Sequence, residues 1–189
     1  SSVYAQDEGG TDQEVQAAIY GGSIANENDW PWKTVVFTRY VATQGEYAGQ
    51  WVRATCGGSL IKSDWVLTAA HCLYDDGCNL LPLSSFTVIV GRHDLEKTDT
   101  GETFTVVERI KHADYNNAYT HNDIALLRLN RSSQATPIQL ATPLFTQAIS
   151  VGDLAVVIGW GKIGPNDPMP NQLHQVTVPF VSNAFCNVN

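Results

Sequence analysis

From Ile19 onward, short apolar runs rich in Val, Ile, Leu, Thr and aromatics are broken every few residues by Gly, Asn, Asp or Pro. The runs read as strands: 33–40 (KTVVFTRY), 54–61 (ATCGGSLI), 65–70 (WVLTAA), 86–91 (FTVIVG), 103–112 (TFTVVERIKH), 123–129 (DIALLRL), 154–160 (LAVVIGW) and 174–181 (HQVTVPFV). Many short strands with frequent turn signals predict an all-β barrel or sandwich. No convincing stretch with a 3.6-residue period exceeds three turns, which disfavours a helical core.

Residues 1–18 differ in texture. They carry Asp7, Glu8, Asp12 and Glu14 without a Lys or Arg, and read as a flexible acidic leader or propeptide. Val3 to Gln6 also matches the small-x-Ala pattern of a signal-peptidase site. The polar stretch 130–137 (NRSSQATP) divides a first unit, 19–129, from a second, 138–189, which has too few strands to close a barrel.

Composition narrows the function. The chain has 189 residues, 43% hydrophobic and 16% charged, as expected of a folded globular protein. A formal charge of −8 argues against nucleic acid or an anionic membrane as a partner, both being polyanions. No apolar run is long enough to span a bilayer. The four cysteines form no CxxC pair and the histidines no HExxH, so no metal or other cofactor is expected, and oxidised pairing in a secreted protein fits better.

His71 ends an apolar run beside Cys72. If the strands on either side of Lys62–Asp64 pair antiparallel, Cys56 and Cys72 come within reach, and a bond between them would fix the backbone beside an imidazole. A purely structural histidine next to a structural disulfide fits the spacing equally well. Asp123 opens the strand 124–129 (IALLRL), which is apolar on both faces and so buried. A carboxylate there needs a hydrogen-bonding partner, for which an imidazole N–H or a turn backbone would serve.

The motifs IYGG (19–22), CGGSL (56–60), LTAAHC (67–72), NDIALLRL (122–129) and GWG (159–161) occur in that order. Together they resemble the chymotrypsin/trypsin-like serine endopeptidases, over 19–189. The resemblance implies a chymotrypsin-like double β-barrel, with the first barrel complete and the second partial. It implies that His71 is the general base, that Asp123 orients it, and that Cys56 and Cys72 form a disulfide. It also implies a secreted zymogen that acts as a monomer on peptide or protein substrates and meets protein inhibitors. Cleavage before Ile19 would free a new N-terminus. The first basic residue is Lys33, so a trypsin-like activator cannot cut at Ala18–Ile19.

The family's nucleophile stands in a Gly-Asp-Ser-Gly-Gly-type segment, which this chain lacks. Ser182 is the only serine after Trp160, and its context does not fit. The expectation is an enzyme chain truncated before its nucleophile and inactive as it stands; the alternative is a non-enzymatic, protease-like binding module. Cys186 resembles a cysteine that pairs downstream, and Cys78 has no assigned partner. The loop 91–104 corresponds to one that binds calcium in some relatives, but Arg92 suggests an Arg–carboxylate pair instead. Asn130 heads an N-x-Ser sequon, a possible glycosylation site.

Overall fold

Every apolar run singled out above lies on a strand. The computed structural model describes residues 2–5, 13–16, 19–164 and 167–186. Strands β1 (Ser2–Ala5) and β2 (Gln13–Gln16) pair antiparallel within the acidic leader, and the rest of the leader lies outside the described residues. There follow β3 (Ser23–Ile24), β4 (Lys33–Val41), β5 (Trp51–Lys62), β6 (Trp65–Thr68), β7 (Phe86–Val90), β8 (Glu102–Lys111) and β9 (Ala125–Leu129). After them come α1 (Pro143–Ala148), β10 (Leu154–Gly159), β11 (His174–Pro179) and α2 (Asn183–Cys186).

The described residues form two compact units, one of 28–138 and one that joins 19–27 and the leader strands to 139–186. In the first, β4 to β9 close a barrel in the order β4-β5-β6-β9-β8-β7, with β4 and β7 completing the ring. Register shifts at Leu60/Lys62 and at Val106/Glu108 supply the extra twist that closure of a small barrel requires. Alternate side chains point inward, so Val36, Leu60, Val66, Phe86, Phe104 and Leu127 fill the interior. Each contributes roughly 1.5–3 kcal/mol by leaving water. Gly58 cannot be replaced cheaply, because a Cβ there would lie 2.5 Å from Thr34 Oγ1 and 2.9 Å from the Leu67 carbonyl.

The polar stretch 130–137 packs on this barrel. Ser133 is buried and its hydroxyl donates to Glu102 on β8, which also accepts from the Gln134 N–H at 2.9 Å and from Arg131 at 3.2 Å. Burial works against ionisation of Glu102, but the bonds from Ser133, Gln134 and Arg131 outweigh it and hold the carboxyl below its ordinary range. Arg92, buried at the end of β7, donates to the Thr98 and Thr100 carbonyls at 3.0 and 2.9 Å. The partners the loop gives this guanidinium are backbone oxygens rather than the carboxylate expected from sequence. Five-donor guanidinium geometry suits two converging carbonyls as well as a carboxylate.

Lys33 is the cation that burial disturbs most clearly. It is 9% exposed, its Nζ lies where Gly57 lacks a side chain, and desolvation lowers its pKa from 10.5 to about 8. Between those two values the unfolded chain holds a proton that the folded chain has released, so stability rises with pH. Urea denaturation at steps from pH 7 to 10.5 is expected to show this rise, and Lys33→Met is expected to flatten it. An unchanged slope in the variant would assign the rise to another group.

Among the described residues, the second unit holds a three-stranded sheet, β10-β11-β3, together with the leader pair and the two short helices, and no closed barrel. β10 exposes apolar residues on both faces, with Leu154 72% exposed and Val157 42% exposed. Ile19 is buried in this unit, and its N–H donates to the Lys162 carbonyl at 2.6 Å.

Candidate active site

Antiparallel pairing of β6 with β9 sets Thr68 opposite Ala125. The chain leaving β6 and the chain entering β9 therefore meet at one end of the barrel. His71 begins a short 3-10 turn, His71–Leu73, whose Cys72 and Leu73 are buried and anchor it. Asp123 lies two residues before β9. The sequence-predicted pair is thus brought together by the topology.

Both oxygens of Asp123 are used on His71. Oδ2 stands 2.7 Å from the ring Nδ1, and Oδ1 accepts the His71 backbone N–H at 2.8 Å. An ionised carboxylate only accepts, so the ring proton sits on Nδ1 and the lone pair on Nε2. The two contacts fix position as well as tautomer, because the ring and its own backbone are held by one group. The side chains are 20% and 25% exposed, which leaves the pair at the edge of solvent.

Cys56 and Cys72 form a disulfide with Cα atoms 6.3 Å apart. Their sulfurs lie 4.0 and 3.4 Å from His71 Nε2. These three residues could group around a metal ion, but sulfurs joined to each other are not thiolates and make poor ligands. Thr68 adds a second tie between β5 and β6, donating its hydroxyl to the Gly57 carbonyl at 2.8 Å.

Two tyrosines join the site without having been singled out in the sequence. Tyr115 packs against Tyr74 with ring centroids 5.7 Å apart, and its hydroxyl donates to Asn117 at 2.5 Å. Burial, then the charge of Asp123, then Tyr74 and Cys78 push the Tyr115 pKa up to about 12, so its hydroxyl stays neutral beside the carboxylate. No periodicity marks these residues, since both lie in irregular chain next to the site. Ahead of Asp123, Thr120 and Asn122 adopt positive φ (48° and 56°), and Asn122 donates to the Asp114 carbonyl at 3.0 Å.

The remaining sequence candidates lie elsewhere. The Ser182 hydroxyl accepts the Phe185 N–H at 3.2 Å in the first turn of α2, a capping role. Asn130 is exposed and accepts the Thr105 N–H at 3.2 Å. Cys78 is an exposed free thiol, while the side chain of Cys186 lies outside the described residues.

A family model described as Trypsin matches residues 19–189. The chain belongs to the trypsin family. Among its relatives, chymotrypsin-like elastase family member 1 of Macaca fascicularis is 34% identical over 92% of this chain and 62% of its own length. Serine protease SP24D of Anopheles gambiae is 33% identical over 91% of this chain and 57% of its own length. The structure of Vibrio cholerae VesB protease superimposes with a TM-score of 0.70 at 31% identity, covering 88% of this chain and 46% of that one. The chain therefore spans less than two thirds of the length of each of these three relatives. The trypsin fold expected from the motifs, a complete first barrel with part of a second, is the one observed. No helix among the described residues is long and apolar enough to cross a membrane.

Proposed function

We propose that this chain carries the base and orienting carboxylate of a secreted serine endopeptidase, and that sequence beyond Asn189 supplies the nucleophilic serine and the oxyanion-binding N–H groups. The observation that carries the reading is the double grip of Asp123 on His71, through the ring and through the backbone. A histidine needed only for packing has no use for a fixed tautomer with an unprotonated Nε2.

In the complete site, His71 Nε2 takes the proton of the serine hydroxyl as its oxygen attacks a peptide carbonyl. The resulting imidazolium is stabilised by Asp123 and returns the proton to the departing amine, leaving an acyl-enzyme. Water, deprotonated by the same nitrogen, then releases the acid. The substrate is a peptide or protein. Cleavage at Ala18–Ile19 removes the leader and converts the Ile19 N–H into a free amine. Secretion is supported by the Cys56–Cys72 disulfide, a bond that oxidising compartments preserve.

A fluorophosphonate probe tests this directly. The 189-residue chain is expected to remain unlabelled, because a base without nucleophile or oxyanion donors retains little power. The chain extended through its natural downstream reading frame, and cut before Ile19, is expected to take one label on one serine. Stoichiometric labelling of the short chain, or a stop codon directly after Asn189, would defeat the proposal.

A further inference from the structure

The β4–β5 hairpin is longer than the barrel that holds it. β7 covers β4 only from Thr34 to Thr38, and β6 covers β5 only from Gly58 onward. Beyond those points the two strands run on as a free ribbon, in which Arg39 faces Arg53 and Val41 faces Trp51. Side chains two apart on a strand share a face, so Phe37, Arg39, Val41, Trp51, Arg53 and Thr55 lie together. Trp51 is 64% exposed and Val41 is 40% exposed.

Like charges directly opposed across strands repel, and this pair is divided between two rings. The Arg39 guanidinium lies 4.7 Å from the centroid of Trp51, and that of Arg53 lies 4.6 Å from the centroid of Phe37. The rings hold the two cations without neutralising them. The other arginines are all engaged: Arg92 with carbonyls, Arg109 with the Leu81 carbonyl, Arg128 with Asp64 and Glu108, Arg131 with Glu102. Among the described residues, Arg39 and Arg53 have no carboxylate or carbonyl partner. Glu46, in the ribbon's tip, pairs with neither, and Asp76 is taken up by Thr43 and Gln44.

We propose that this face is a docking surface for an extended acidic segment of a partner protein. The spacing sets its pattern. Trp51 faces Val41, four residues from Phe37, so the two rings that hold the cations are rooted roughly 13 Å apart at the rise of a strand. An extended peptide spans that distance with carboxylates at i and i+4, both on one side, and an apolar residue at i+2 would lie between the rings. A long polyanion fits less well, because the chain as a whole carries −8 and repels it beyond this small cationic spot. The surface is independent of the catalytic reading.

The test is fluorescence anisotropy of a labelled peptide with glutamates at i and i+4, leucine at i+2 and Gly, Ser or Thr elsewhere. Wild-type chain is expected to bind it, more weakly as salt rises. Replacing both glutamates by glutamine, or combining Arg39→Gln with Arg53→Gln, is expected to weaken binding at least tenfold, whereas Lys62→Gln at the far end of β5 leaves it unchanged. Thermal melting of the double variant shows that the fold is retained. Binding that survives in the double variant, or no binding to wild type at millimolar peptide, overturns the proposal. So does a sulfated oligosaccharide or an oligonucleotide that binds through both arginines while the acidic peptide does not.

Discussion

Asp123→Asn is expected to lower kcat by about four orders of magnitude in the full-length, activated protein, by moving one proton rather than by disturbing the fold. The His71 backbone N–H donates to Oδ1 of Asp123, so an asparagine keeps its carbonyl oxygen there and turns its NH2 toward the ring. Two donors cannot face each other, so Nδ1 must become the acceptor and the ring proton moves to Nε2. The nitrogen that should take the serine proton is then already protonated. The 189-residue chain suffices to check the first half. Nitrogen-15 spectra of the His71 ring should place the proton on Nδ1 in the parent and on Nε2 in the variant. Asp123→Ala should behave differently, leaving the backbone N–H without an acceptor at a cost of about 1–3 kcal/mol and the ring free to turn. If kcat is unchanged in Asp123→Asn, or the ring keeps its parent tautomer, Asp123 does not orient the base.

The His71–Asp123 contact was legible in sequence for a reason that lies in the topology. An apolar run that ends in a polar side chain marks the place where a buried strand reaches the barrel rim, and β6 and β9 both do so. What sequence could not give was the second contact, from Oδ1 to a backbone N–H, because main-chain donors leave no mark on residue types. Strand positions were readable for the same reason as the site: every fully buried position of β7, β8 and β9 is apolar, and that pattern is dense. The short β3 was not, since it is two residues long and Ser23 and Ile24 are both exposed. The helix α1 escaped notice because none of its residues is buried, so no apolar stripe betrays it, although Thr142 caps it by accepting the Phe145 N–H. The stretch 130–137 shows how polar residues pack: Ser133 is buried because Glu102, a partner far away in sequence, accepts a hydrogen bond from its hydroxyl.

Removing the disulfide with Cys56→Ala and Cys72→Ala should destabilise the first unit by about 3 kcal/mol, the chain-entropy cost of freeing a loop of this size. The two cysteines are 16 residues apart, and the loop between them contains the whole β5–β6 turn and His71. The melting temperature should fall by roughly 10 °C, and the urea midpoint with it, while the urea m-value rises because the unfolded chain without its cross-link is less compact. Because Cys72 is buried in the turn that starts at His71, the loss is not confined to the unfolded state. The turn keeps Leu73 and the grip of Asp123, so the ring stays near its place but loses the covalent tie on its C-terminal side. Activity of the completed enzyme should therefore fall further than the folded fraction alone explains, through a lower kcat at nearly unchanged KM. Asp123→Asn makes the opposite combination, full stability with almost no turnover, and the two variants together separate the placement of the base from its protonation. A double variant that melts within a degree or two of the parent would show that β-pairing and Asp123 already hold the turn, and that the sulfur bridge contributes nothing to aiming the imidazole.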